Sequence, residues 1–545
     1  MRCRSSGSTG ATIAIIGEAP GSEEEAQGLP FVGASGQELD RMLKDSGLLR
    51  EALFLTNVTH ERPPNNEISN WISEKAKAPD GSFINYRNRW VKPFIRAECE
   101  RLYGEIRAVQ PNVVLTLGGA ALWALCPQTS VSKWRGSHLT SDAIPGLKVI
   151  PAYHPAFILR SYKERAITVQ DFRRAKREAI TPLSTAPKRT FGVRPSYGEA
   201  RSWLERLLGS LQVGPVRFTC DLEIFQREIL CVGIGLSSTS AFCIPLLWTK
   251  GWYWSSEEHV EVTNLLRSVL LHPNAQVINQ NLSFDIQYLF WRFYMRPKAH
   301  FDTMIAQNVL YSGLPKDLAY LASMYCDHYI YWKDDGKFWV NFNDQDLWHY
   351  NCLDCVYTFE VYEKQVAALG AASLTPQMDF QMKTFENLMG MMLRGVKVNE
   401  GNKMALLGEI EALIRRFHEE VEYLTGRKLT GDKAFSPKQL AGFFYTDLKL
   451  QTIHNREGKV TCDDEALKKI ARKNLWLRPL TDRINMVRSY GTAVDVCKKK
   501  TDWDSRWRTN YNIAGTTTYR LSSSENPLDS GVNLQNLTLG RDILK

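Results

Sequence analysis

No stretch of this 545-residue sequence is long and apolar enough to cross a bilayer. The longest nearly apolar run, Val113 to Cys126, contains Gly118-Gly119 and falls short of the roughly 20 residues a spanning helix needs. Met1 to Gly10 is basic and rich in serine and glycine, but only a short apolar stretch follows before Glu18, so a secretory signal is excluded. A disulfide framework is also missing. The eleven cysteines are odd in number and scattered, which argues for reduced thiols and a cytoplasmic setting. The single C-x-x-C, Cys352 to Cys355, has no second pair to complete a zinc site. Disorder is excluded by 44% hydrophobic residues with 11% aromatics, enough for several cores. At about 100–200 residues per domain, the length suits three or four domains. The charge of +9 suits a polyanionic partner without demanding one.

What is present is led by Phe218-Thr219-Cys220-Asp221-Leu222-Glu223, an apolar run ending in two acids on alternate positions. In a strand such residues point to the same face. Paired carboxylates repel each other and are costly to bury unless a cation compensates them, and their hard oxygens suit Mg²⁺ or Mn²⁺. Taken alone, the pair fits plain surface charge better than a metal site.

The first 180 residues alternate strand, turn and helix, which predicts an α/β sheet with polar residues at the strand ends. Strands are expected at residues 12–17, 52–58, 112–117 and 147–151, with a helix over 35–46. The segments GEAPGSEEEAQGLPFVGASGQELD, TNVTHERPPNN, PNVVLTLGGAAL and PAYHPAFILR follow one another here. Together they resemble the successive motifs of family 4 uracil-DNA glycosylases, which implies a three-layer domain over residues 1–180. The resemblance implies that Phe31 stacks on a flipped base and that Asn57 reads its pairing edge. It also implies that His154 stabilises the departing base anion and that Glu18 positions or activates water. The family normally holds an iron–sulfur cluster on four cysteines. Here Glu61 stands at one of those positions and only Cys3 and Cys99 lie near the others, so no cluster is expected. Whether such a pocket cleaves uracil or serves only as a DNA-binding module stays open.

Residues 181–195, beginning Thr181-Pro182-Leu183, lack an apolar period and read as a linker. A domain over residues 196–370 follows, with a helix near 197–211 and strands at 230–237, 240–245 and 276–281. Asp285 sits at a helix start after Asn281-Leu-Ser-Phe, and Tyr350 and Asp354 are four apart on one helix face. An acid pair on a strand, then N-x-x-F-D, then Y-x-x-x-D resembles the DEDDy 3′–5′ exonucleases, whose fold is ribonuclease H-like. This implies that Asp221, Glu223, Asp285 and Asp354 bind two Mg²⁺ (or Mn²⁺) ions and that Tyr350 orients the attacking water. Asp302 reads as structural.

From residue 371 the pattern turns helical, with an apolar stripe expected at Phe380, Phe385, Leu388, Met391 and Met392 and long helices near 403–425, 463–473 and 480–499. Residues 509–523 and 533–536 resemble the block that opens the palm of family A DNA polymerases. That implies duplex contacts by Arg520, Gln535 and Asn536, with Lys498 and Lys499 available for phosphates. The sequence given ends at Leu544-Lys545, before the family's catalytic aspartates and nucleotide-binding lysine. These residues are therefore not expected to synthesise DNA, and read as a thumb and the start of a palm. The order of parts resembles polymerases of large bacteriophages, which implies the host cytoplasm as location and DNA as partner, leaves room for replication accessory proteins, and calls for no membrane. A base-excision repair enzyme and a catalytically quiet DNA-binding module are the alternatives.

Overall fold

Alternating burial explains the first sheet. Ile13 and Ile15 face one side of their strand while Ala14 and Ile16 face the other, and all four are buried, as suits parallel strands covered by helices on both faces. The computed structural model describes residues 2–75, 77–128, 130–335, 344–429, 435–455, 457–528 and 531–536. They divide into two compact units, residues 1–282 with 297–378 and residues 283–296 with 379–545.

In the first unit, Ile13–Gly17, Phe54–Asn57, Val113–Leu117 and Lys148–Ala152 form parallel pairs, with short antiparallel strands at Ser6–Gly7 and Leu139–Thr140 on the edges. Helices Phe94–Val109 and Gly119–Leu125 contribute to the core on one face. Ala34–Ser46 and Arg165–Glu178 contribute to the other. The result is the three-layer α/β arrangement expected. The second strand is shorter than the expected 52–58, because Arg50–Ala52 closes a 3₁₀ turn before it.

The same unit holds a second six-stranded sheet in the order Thr190–Gly192, Ser240–Pro245, Glu228–Gly235, Val216–Phe225, Ala275–Asn279, Ala299–Asp302. Three antiparallel central strands flanked by parallel ones give the mixed ribonuclease H-like sheet. Within the stretch read as a linker, Thr190–Gly192 is a strand that pairs in parallel with Ser240, Ala241 and Phe242. The long helix Asp344–Ala371 packs over the central strands, and both cysteines of the C-x-x-C lie in an apolar cluster with Cys231, Cys243 and Trp348.

The second unit is mainly helical. Glu400–Thr425 and Arg478–Lys498 pack together, and Leu440, Phe444, Leu467, Ile470 and Ile484 help fill its core. In the helix Thr375–Arg394, Phe385, Leu388 and Met392 are buried, but Phe380 and Met391 are 61% and 46% exposed. At about 100° per residue these two lie roughly 120–140° round the helix from Phe385, which takes them off the stripe. A hairpin of Thr509–Asn512 with Ser522–Glu525 follows, and a 3₁₀ turn at Leu534–Asn536 is the last described element. Among the described residues no helix is long and apolar enough to cross a membrane.

Candidate active sites

The ends of neighbouring parallel strands build the first site. Gly17 pairs with Asn57, and a Cβ on Gly17 would come within 2.3 Å of Asn57 Oδ1 and 2.5 Å of Phe31 Cζ. Only glycine lets the amide and the ring sit side by side. Phe31 has φ +56°, a conformation costly for a bulky residue. Two groups hold it there. Arg50 donates to the carbonyl oxygens of Pro30 and Phe31, both at 3.0 Å, and the buried Glu24 carboxylate accepts the N–H groups of Val32 (3.1 Å) and Gly33 (2.9 Å). Nothing local in the sequence marks which acid of Glu23 to Glu25 turns inward, or that Arg50 reaches this loop.

His154 closes the cavity, with its imidazole centroid 6.3 Å from the Phe31 ring. Its Nδ1 accepts the Ala156 N–H at 3.1 Å, so the ring proton of the neutral form resides on Nε2. Burial, helped by Arg160, pushes its pKa down to about 4, and the imidazole is neutral at pH 7. Burial also raises the Glu18 carboxyl, opposed by Arg89. Glu18, Phe31, Asn57 and His154 thus share a cavity of about 280 Å³.

The second site forms where the Val216–Phe225 strand meets the Asp344–Ala371 helix. Asp221, Glu223 and Asp354 come together with ligand oxygens all within 4.8 Å of one another. Gly233, opposite Asp221, makes this approach possible, since a Cβ there would meet Asn351 Oδ1 at 2.4 Å and Cys355 Sγ at 2.7 Å. Asn351, which the motif reading passed over, donates from Nδ2 to Asp221 Oδ2 at 2.8 Å. Both oxygens of Asp354 are engaged, Oδ1 by Trp332 Nε1 at 2.5 Å and Oδ2 by Lys333 Nζ at 2.6 Å; Lys333 also lies 3.0 Å from Tyr350 Oη. Sequence reasoning missed both residues. Gly233→Ala is expected to cost about 1–3 kcal/mol by overpacking. Thermal denaturation should register this as a midpoint several degrees lower.

Burial, with Asp354 nearby, pushes the Asp221 carboxyl up to about 8, and Glu223 is raised by burial and by Asp221. Burial and the neighbouring acids also raise the Tyr350 phenol, which keeps its proton. Three convergent carboxylates whose charges are this poorly tolerated fit a divalent cation. Asp285 is buried on the helix Leu282–Phe293, which from Ser283 onward groups with the second unit. Asp302 is a buried helix cap that accepts the N–H groups of Met304 and Leu282 at 2.8 and 2.7 Å.

The sequence matches the uracil-DNA glycosylase superfamily over residues 5–180 and the 3′–5′ exonuclease family over residues 250–367. A type-4 uracil-DNA glycosylase of Thermotoga maritima is 34% identical over 169 residues, covering 30% of this chain and 76% of that protein. The chain belongs to the uracil-DNA glycosylase superfamily through residues 5–180. A DNA polymerase of Bacillus phage SP01 is 22% identical across 95% of this chain and 62% of its own length. DNA polymerase I of Rhizobium leguminosarum is 27% identical across 50% of this chain and 27% of its own. The glycosylase-family domain is thus joined to a 3′–5′ exonuclease domain, and the wider relatives are DNA polymerases, in line with the motifs.

The four-thiolate cluster implied for the glycosylase-family domain finds no matching donors. Cys3 and Cys99 are buried thiols that burial pushes up to about 11, and Glu61 is ion-paired with Arg2 at 2.9 Å. In the second unit, Lys498 pairs with Glu411 at 2.9 Å and Lys499 with Glu525 at 2.8 Å. Arg520 is exposed, Gln535 donates to the Leu521 carbonyl at 3.0 Å, and the side chain of Asn536 lies outside the described residues.

Proposed function

We propose that this chain hydrolyses DNA from a 3′ end, as the proofreading part of a DNA polymerase. The convergence of Asp221, Glu223 and Asp354 beside Tyr350 carries this reading. These carboxylates, with Asp285, would hold two Mg²⁺ (or Mn²⁺) ions. Bound there, the ions would supply an activated water and charge stabilisation on the leaving oxygen. Asn351 fixes the rotamer of Asp221 through its 2.8 Å hydrogen bond. Tyr350, protonated, acts as a hydrogen-bond donor or acceptor toward water rather than as a base. By likeness to the polymerase relatives, residues 371–545 would grip primer–template DNA, with Arg520, Gln535 and Asn536 on the duplex and the host cytoplasm as the setting. Release of nucleotides from a 3′-labelled oligonucleotide, with and without EDTA, tests the reading.

The carboxylates also set a pH dependence. The folded Asp221 holds its proton up to about pH 8 against an ordinary value of 3.8. Between these values the native state binds more protons than the unfolded chain, so metal-free stability falls as pH rises from about 4 to 8. Thermal melts in EDTA should follow this fall, Mg²⁺ should reverse it most at the alkaline end, and Asp221→Asn should flatten it. Identical pH profiles for the wild type and the Asn variant would refute the assignment.

A second reading, uracil excision, rests on the neutral His154 with its Nε2 proton in a cavity shared with Phe31 and Asn57. Release of free uracil from single-stranded DNA tests it.

A further inference from the structure

Residues 326–334 run between the two domains of the first unit and are bonded to both. On the glycosylase-family side the hydrogen bonds go to backbone groups of residues 323–331. The His138 N–H donates to the Tyr329 carbonyl at 2.7 Å, and the Tyr329 N–H donates back to His138 Nδ1 at 3.1 Å. The Tyr331 N–H donates to Ser137 Oγ at 3.1 Å. Arg174, wholly buried, donates to the carbonyl oxygens of Ser323 and Cys326 at 3.0 and 2.8 Å. Farther along, Lys133 is ion-paired with Asp334, and the Trp134 and Tyr331 rings meet at 5.4 Å. On the exonuclease side, Trp332 stacks on Tyr357 at 4.2 Å, and Trp332 and Lys333 take both oxygens of Asp354.

Among the described residues, the Lys333 ammonium stands beside the three converging carboxyl groups, 2.6 Å from Asp354 Oδ2. A divalent ion drawn to the same oxygens must push that ammonium aside, against both Coulomb repulsion and the bonds that fix the residues before it. We propose that residues 326–334 form a strap by which the glycosylase-family domain sets the metal affinity of the exonuclease carboxylates, with Lys333 as the counter-ion that metal displaces. The proposal rests on the acid cluster being the exonuclease metal site. It makes Lys333 a positioning residue and gives the first domain a role in exonuclease function that needs no glycosylase chemistry.

Titrating the full chain with Mn²⁺, followed by calorimetry and by electron paramagnetic resonance of free Mn²⁺, tests the strap without any nuclease assay. Lys333→Met should tighten binding at the cluster about tenfold, the effect of removing one repelling charge from a partly buried site. Lys333→Arg should stay near wild type. Lys133→Met cuts an anchor inside the glycosylase-family domain, its ion pair with Asp334, without touching a carboxylate of the cluster, and should tighten binding about two- to threefold, roughly the worth of a weakened ion pair. Unchanged or weaker binding in Lys333→Met would overturn the counter-ion role, and wild-type binding in Lys133→Met would overturn the coupling to the first domain. If Asp221→Asn leaves the Mn²⁺ isotherm of the wild type unaltered, the metal-site reading itself fails, which separates the two claims.

Discussion

Asp221→Ala should lower metal-dependent release of nucleotides from a DNA 3′ end by at least about a thousandfold, while the protein stays folded. The size follows from position. Asp221 is oriented by Asn351 and has Glu223 and Asp354 as its neighbours. Without it, the proposed site would lose one of its convergent carboxylates and the metal affinity that carboxylate would supply. Stability should move the other way. The buried carboxyl is held near pH 8 by an environment that disfavours its charge, so its removal relieves repulsion in the metal-free protein. Loss of hydrolysis together with an unchanged or higher melting midpoint at pH 8 in EDTA is the expected pair of results. Nuclease activity equal to wild type would remove this site from the mechanism.

Asp221 and Glu223 were legible because strand geometry puts alternate residues on one face, and Tyr350 and Asp354 because helix geometry puts residues four apart on another. Periodicity carried those four positions. It does not reach across elements. Lys333 and Trp332 stand in Tyr331-Trp332-Lys333-Asp334-Asp335, which has no apolar period and reads as loop, yet they take both oxygens of Asp354. Nothing local marks them, because their role comes from a chain path fixed by residues near position 138. Gly233 and Asn351 were hidden for a related reason. The glycine matters only because a helix more than a hundred positions later closes onto it. Thr190–Gly192 is too short for a periodic signal and becomes a strand only through its partner. In the first domain the motif residues Glu18, Phe31, Asn57 and His154 could be named in advance. The devices that hold Phe31 at positive φ, Glu24 and Arg50, could not.

His154→Ala should cut release of uracil from single-stranded DNA by about 10²–10³-fold, the usual cost of losing one donor to a developing anion. The nitrogen that carries the proton decides this effect. Nδ1 is occupied by the Ala156 N–H, so the neutral ring can donate only from Nε2. With a pKa near 4, the imidazole stays neutral well below physiological pH, and it acts as a fixed dipole rather than a proton source. Two consequences distinguish this from simple loss of structure. Wild-type uracil release should show no histidine titration between about pH 6 and 8, because the group is already neutral across that interval. Exonuclease activity of the His154→Ala chain should match the wild type, because His154 lies in the glycosylase-family pocket and its replacement leaves His138, Arg174 and the strap intact. Uracil release undiminished by the alanine would exclude His154 as the anion's partner, and a bell-shaped profile centred near neutrality would contradict its neutral state.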